Sequence, residues 1–205
     1  MNKGKFIVLE SMDGAGKGTV VERLKHDLPQ MVFTRELGGT PFAEQVRSLM
    51  LESLDISSLT EQFLAWASRN DHVEKVILPN LELGNHVLTE RFTDSTLVYQ
   101  VVDPNRPREE QKLFSVAKEI VTAKVKPDLI IILDVPYETS QKRMQGRELD
   151  KMESKQREFH DNIRRRLLGR ASAHKNYLVI DATMTIDAVY QRVYNAIEDI
   201  LNEAK

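Results

Sequence analysis

Cysteine is absent from this chain of 205 residues. That excludes a disulfide framework, a thiol nucleophile and a cysteine-ligated zinc site. Charge of one sign is also lacking: 29 basic residues face 31 acidic ones, for a formal net charge of −2. Nothing in that balance draws the whole chain toward nucleic acid or a membrane surface. No apolar run approaches the roughly 20 residues needed to span a bilayer. The first apolar run begins at Phe6, which leaves no room for a signal peptide, so a cytoplasmic protein is expected. There is no repeat of fixed period, no low-complexity tract and no evident linker, and the length suits one domain over 1–205. A chain of this size can bury a sizeable core without staples.

What the sequence does have is concentrated near its start. Phe6-Ile7-Val8-Leu9 is apolar with no polar face, as suits a strand buried on both sides in a parallel sheet. The loop Ser11-Met12-Asp13-Gly14-Ala15-Gly16-Lys17-Gly18-Thr19 follows, and then a helical pattern over Val20–Leu28. Strand, Gly-containing loop, Gly-Lys and helix form the phosphate-binding P-loop arrangement. Gly14 and Gly16 would let backbone N–H groups close on phosphate oxygens, the helix adds its positive end, and Lys17 supplies a point charge. Residues Asp13 to Thr19 are therefore the candidate ATP-binding segment. Two positions depart from G-x-x-x-x-G-K-[ST]: Ser11 replaces the first Gly, and Gly18 replaces the hydroxyl residue that would touch Mg²⁺.

Further along, Met31–Thr34, His86–Thr89, Leu129–Leu133 and Tyr177–Ile180 read as strands, the fourth in chain order being wholly apolar and therefore central. Helical patterns lie between them. Thr40 caps one that has Pro41 at its first position and runs through Leu51. Another covers Leu59–Leu81, broken or kinked near Pro79. Others cover Thr93–Val101, Glu109–Ala123, Thr139–Met144, Asp150–Ala173 and Ile186–Leu201. Strands alternating with helices predict an α/β fold with a five-stranded parallel sheet flanked by helices. Ligands on such sheets bind beyond the carboxyl ends of the strands. That brings the P-loop, Arg35, Glu90-Arg91 and the segment after Asp134 to one edge.

Moving a phosphoryl group between nucleotides requires cations and exclusion of water. Arg35 and Arg91 directly follow strands two and three. Glu90 is placed to hold a water on Mg²⁺, or else to pair with Arg91. From Lys142 to Arg170 there are ten Lys or Arg against five Asp or Glu. A charge run on a helix is ordinarily a solvated face. Here Arg143 and Arg147 flank a Gly between two helical patterns, which also suits a basic flap, near 142–155, that closes over a phosphate.

At this point the chain resembles the thymidylate kinase family over nearly its whole length, and its GAGKGT loop has the form seen in nucleoside monophosphate kinases. The family's TREPGGT segment is similar to Thr34–Thr40, its DRYxxSxxAYQ segment to Glu90–Gln100, and its PDLxxxLDVP strand to Pro127–Pro136. Its lid motif is met by Arg143, Arg147, Leu149, Asp150 and Glu153, in the bacterial manner with arginines on the lid. The resemblance implies a P-loop nucleoside monophosphate kinase fold with a helical lid, and phosphorylation of dTMP by ATP with Mg²⁺ in a homodimer. It implies that Lys17, Arg91, Arg143 and Arg147 carry catalysis. It also implies that Asp13 and Ser95 lie by the acceptor's sugar and phosphate, and that Arg35 and Arg91 hold the acceptor phosphate. Arg69 would hydrogen-bond the base, Tyr99 would pack on the deoxyribose, and Thr96 and Gln100 would lie near the base.

Several positions depart from that pattern. Glu90 replaces Asp, Leu37 replaces Pro, and Val101-Val102-Asp103 replaces residues that often include glycine. Where the family stacks a Phe on thymine, this chain has Ala65, followed by Trp66, its single tryptophan. Trp66 either supplies the stacking surface from a shifted angle or is an ordinary core residue. If Ala65 lines the site, the base pocket gains room, and a relaxed preference or a 5-substituted dUMP becomes an alternative acceptor. A non-catalytic nucleotide-binding protein is the further alternative, supported by Ser11, Gly18 and Glu90. A GTPase-type switch is disfavoured by the lack of an NKxD segment.

Overall fold

The computed structural model describes residues 3–52, 56–101, 108–146, 148 and 153–202. Arg147, Leu149 and Asp150 of the lid pattern, and Val102 and Asp103, lie outside the described residues. Five strands form one parallel sheet: β1 (Phe6–Ser11), β2 (Val32–Arg35), β3 (Val87–Glu90), β4 (Leu129–Asp134) and β5 (Tyr177–Asp181), in the order β2-β3-β1-β4-β5. The apolar strand β4 is interior, as its sequence predicts, but β1 holds the middle of the sheet. β1 pairs Phe6 with Val87 on one side and Ile7 with Leu129 on the other.

Side chains alternate across the sheet with a period of two. Ile7, Leu9, Leu88, Ile131 and Leu133 enter one core with α1 (Lys17–Asp27), α8 (Arg157–Ala173) and α9 (Ile186–Asn202). Phe6, Val8, Val87 and Ile130 enter a second core with Ile77 and Leu81. Both faces of the sheet are thus covered, the situation in which a strand is apolar throughout.

α2 (Pro41–Glu52) starts as predicted, with the Thr40 hydroxyl accepting the Ala43 N–H at 3.0 Å. α3 (Ser58–His72) passes through one widened turn, Val73–Ile77, into α4 (Leu78–Glu82). Pro79 has no N–H to return to the preceding turn, so the ladder adjusts just before it rather than stopping. A short helix α5 (Thr93–Thr96) likewise runs into a widened turn, Leu97–Val101, and α6 (Arg108–Val121) follows. α7 (Tyr137–Met144) ends before a turn at Gln145-Gly146. The helix predicted from Asp150 is shorter among the described residues: Glu153–Lys155 are turn residues, and α8 begins at Arg157.

Parallel pairing places every strand's carboxyl end on one edge. The ladder runs slightly past the strands, with Glu36 N–H donating to the Glu90 carbonyl at 2.8 Å and Arg91 N–H to the Leu9 carbonyl at 2.9 Å. Arg35, Glu36, Glu90, Arg91 and the P-loop therefore meet although they are far apart in sequence.

Candidate active site

The P-loop is a bare helix start. Gly16, at φ +86°, precedes α1 without a side-chain cap, and the first turn carries no acidic residue. The N–H groups of that turn are left for a ligand, and the helix end is electropositive. Gly14, at φ +73°, fits because there is no room for a Cβ: one would stand 2.7 Å from the Ser140 carbonyl. The Ser140 hydroxyl also donates to the Asp13 carbonyl at 2.7 Å, which docks α7 against the loop. One turn later Arg143 brings Nη1 to 3.5 Å from the Gly14 carbonyl. Ala15 is buried, Gly18 and Thr19 are exposed, and nothing lies within 4 Å of where a Gly18 side chain would start.

Beside the loop lies a cavity of about 250 Å³. Its walls come from the P-loop, the β2–α2 connection, α3, the end of β3 and the α5 region. Lys17 lines it, with Nζ 2.5 Å from Glu90 Oε2. Burial pulls the lysine ammonium below its ordinary range and nearby Arg91 adds to this, while Glu90 opposes both. Arg91 sits at φ +65°, unusual for a residue with a side chain. That conformation turns the chain from β3 into α5. Its guanidinium lies 2.6 Å from Asp13 Oδ1 and 3.1 Å from the Tyr99 hydroxyl, over the Tyr99 ring, with Ser95 Oγ at 3.4 Å. Burial pushes the Tyr99 hydroxyl up to about 12, with Arg91 opposing, so the phenol stays neutral at ordinary pH. Arg35 also lines the cavity, half-exposed, with Nη2 2.8 Å from Glu44 Oε2.

A second group surrounds Arg69, which is 1% exposed. Its Nε donates to Glu36 at 2.6 Å, Nη1 to the Thr96 hydroxyl at 3.0 Å and Nη2 to the Phe92 carbonyl at 2.9 Å. Thr96, Gln100 and Ala65 line the same cavity.

Most of the predicted site residues are thereby brought to one place. Trp66 is not among them. It is not part of the cavity wall; it packs on Phe114 of α6 with ring centroids 5.5 Å apart and lies 4.8 Å under the Arg69 guanidinium. The core reading of Trp66 fits this placement, and the stacking surface predicted from a shifted angle is not on the wall. Ala65 is on the wall.

Sequence reading missed several residues. Arg47, Met50 and Glu61 line the cavity from α2 and α3, and nothing in their local pattern distinguishes them from a helix surface. Glu10, 1% exposed, follows the apolar run of β1. It accepts the Phe92 N–H at 2.8 Å, the Ser95 N–H at 3.3 Å and the Ser95 hydroxyl at 2.7 Å. Burial, then Asp94, pushes its carboxyl up to about 7, against Arg91 and the hydrogen bonds. A carboxylate at the end of a buried run was the available signal.

Comparison with known proteins agrees with this geometry. The family model for thymidylate kinase matches residues 9–193. Thymidylate kinase of Cupriavidus pinatubonensis is 40% identical over 195 residues, covering 91% of this chain and 94% of that protein. Thymidylate kinase of Neisseria meningitidis serogroup B is 39% identical over 208 residues, covering 98% and 97%. The crystal structure of thymidylate kinase from Ehrlichia chaffeensis superposes with a TM-score of 0.74 at 27% identity, covering 95% of this chain and 99% of that one. A bare helix start beside a cavity lined with cations, the family match over most of the chain and this structural likeness have one reading: the chain belongs to the thymidylate kinase family.

Proposed function

We propose that this protein transfers the γ-phosphoryl group of ATP to the 5′-phosphate of dTMP, giving ADP and dTDP. The observation that carries the reading is a single cavity lined both by Lys17 of the P-loop and by Arg91, Arg69, Thr96 and Gln100. The donor phosphates and an acceptor nucleotide would meet there without a covalent enzyme intermediate. Catalysis is then positioning and charge neutralisation, as phosphoryl transfer requires.

Placement supports the following roles. Backbone N–H groups of Gly14 to Thr19 hold the donor phosphates, and Lys17 leaves Glu90 to reach them. Arg91, held by Asp13 and Tyr99, meets the acceptor phosphate, with Arg35 joining once it exchanges Glu44 for phosphate. Arg69 and Thr96 face the base, with Gln100 beside them. Arg143 is poised on the P-loop to close over the transferring group. Arg147 is assigned the same role from the family pattern, and 142–155 forms the lid of a single domain.

The donor set suits Mg²⁺ carried in with ATP. Asp13 and Glu90 both line the cavity beside Lys17, and one or two carboxylates with phosphates and waters are what this ion ordinarily takes. Glu90 would hold it through water, and bound there it would neutralise phosphate charge. Gly18 supplies no hydroxyl, so the loop adds no side-chain ligand at that position.

A cytoplasmic homodimer completes the proposal. Among the described residues no helix is long and apolar enough to cross a membrane. α3 packs between α2 and α6, and these helices expose Phe42, Leu49, Phe63, Val116 and Ile120, a surface suited to a second copy. A second reading of base preference rests on Ala65: its small side chain in the wall would admit a 5-substituted dUMP alongside dTMP. The non-catalytic reading gains nothing from Ser11, the buried end of β1, or from Glu90, which pairs with a lysine that is still in place.

Incubation with ATP, Mg²⁺ and dTMP, followed by anion-exchange chromatography, tests the reaction. Equimolar ADP and dTDP are expected. ADP and free phosphate without dTDP would contradict it.

A further inference from the structure

A buried polar chain runs from Arg69 through Glu36 and His72 to Thr34. Glu36 Oε2 accepts Arg69 Nε at 2.6 Å, and Glu36 Oε1 lies 3.1 Å from His72 Nδ1. His72 Nε2 lies 2.6 Å from the Thr34 hydroxyl. His72 is 0% exposed and Glu36 3%. A carboxylate can only accept, so Nδ1 carries the proton and donates to Glu36; a hydroxyl can serve Nε2 in either sense. The ring is also sterically fixed. Gly39, at φ +86°, runs so close that a Cβ there would stand 2.5 Å from His72 Nε2 and 2.6 Å from the Thr34 hydroxyl.

The chain matters because of what it leaves Arg69 to do. A guanidinium has five N–H groups in a rigid fork. Three are committed, to Glu36, Thr96 and the Phe92 carbonyl. Its faces are covered by Trp66 at 4.8 Å and Phe92 at 5.2 Å. The direction of the remaining N–H groups in the cavity is then set by how Glu36 is held. One carboxylate oxygen is on Arg69 and the other on His72, so rotation of Glu36 would break one bond or the other.

We propose that His72 is a positioning residue for acceptor recognition, holding Glu36 so that Arg69 presents its remaining N–H groups to the base. This rests on the reading of the cavity as the acceptor site. His72 touches no reacting atom; loss of the Nδ1 donor frees Glu36 to turn and takes the arginine fork with it. A small displacement of a binding group is enough to be felt in substrate affinity.

The test uses two isosteres that each keep one half of the ring's hydrogen bonding. In His72→Asn the amide nitrogen falls where Nδ1 was, so the bond to Glu36 is kept and that to Thr34 lost. In His72→Gln the amide reaches the Nε2 position, with the opposite result. Steady-state KM and kcat are measured for dTMP and ATP in both variants, with Arg69→Ala as control and melting temperature as a measure of folding. The expected result is a dTMP KM raised about tenfold in His72→Gln and within about twofold of the parent in His72→Asn, with kcat and the ATP KM little changed in both. A purely structural histidine would lower the melting temperature in both variants and leave the dTMP KM alone, which overturns the proposal. Equal dTMP KM values in the two isosteres overturn it as well. If Arg69→Ala leaves the dTMP KM unchanged, the cavity itself has been misread. If that control raises it while neither isostere does, only the positioning role of His72 fails.

Discussion

Lys17 and Glu10 are both ionisable groups in a place where charge is costly, and they serve different ends. Lys17 is held by Glu90 at 2.5 Å and its ammonium is destabilised by burial and by Arg91. A phosphate entering the cavity would relieve that position by adding negative charge. Removing the ammonium, as in Lys17→Ala, is expected to reduce kcat on the order of a thousandfold, the scale of lost transition-state charge stabilisation. Parent-like turnover in single-turnover measurements would rule out the P-loop assignment. Glu10 instead organises backbone, with its carboxylate on two N–H groups at the start of α5. Its carboxyl rises from the ordinary 4.5 to about 7 on folding. Between those values the folded protein keeps a proton that the unfolded chain has lost, so this group's contribution to stability falls as pH rises from 4.5 to 7. Glu10→Gln removes the titration. Its melting temperature should change less than the parent's across that window, and an unchanged slope would contradict the assignment.

At the level of elements, the site is made by packing one segment against another far away in sequence. The P-loop is shaped by α7, through Ser140 on the Asp13 carbonyl and the Gly14 contact. Gly14→Ala forces a Cβ against backbone at positive φ, so about 1–3 kcal/mol of stability should be lost together with ATP affinity. A variant with parent ATP KM and melting temperature would show that the loop tolerates the side chain. This dependence on distant partners also explains what was legible. The strands, the Thr40 cap and the P-loop are written locally, in apolar runs and in Gly and Pro positions, and they could be read directly. The direction of Trp66 could not: Ala65 and Trp66 differ by about 100° around a helix, and which one faces the cavity is decided by Phe114 on α6. The role of Glu10 was hidden for the same reason, because its partners arrive with α5, some eighty residues later. The widened turn before Pro79 was legible as a break in the helical pattern, whereas the one at Leu97–Val101 lies where local pattern reads only helix.

The whole molecule presents its cavity on one edge and an apolar face on α2, α3 and α6. Ile120 is 69% exposed and Phe63 54%, and the proposed second copy would cover them. If the proposed dimer forms there, Ile120→Glu should convert it to a monomer in light scattering while leaving the fold intact by circular dichroism. A parent protein that is already monomeric at micromolar concentration would contradict the assembly. The central claim concerns the reaction, and one assay addresses it most directly. ADP release is followed with ATP and Mg²⁺ against dTMP, dUMP, 5-hydroxymethyl-dUMP, dCMP, dGMP and dAMP in turn. The highest kcat/KM is expected with dTMP, with the 5-hydroxymethyl analogue next because Ala65 leaves room. Turnover that is greatest with a purine or cytosine nucleotide, or absent with every acceptor, would contradict the account.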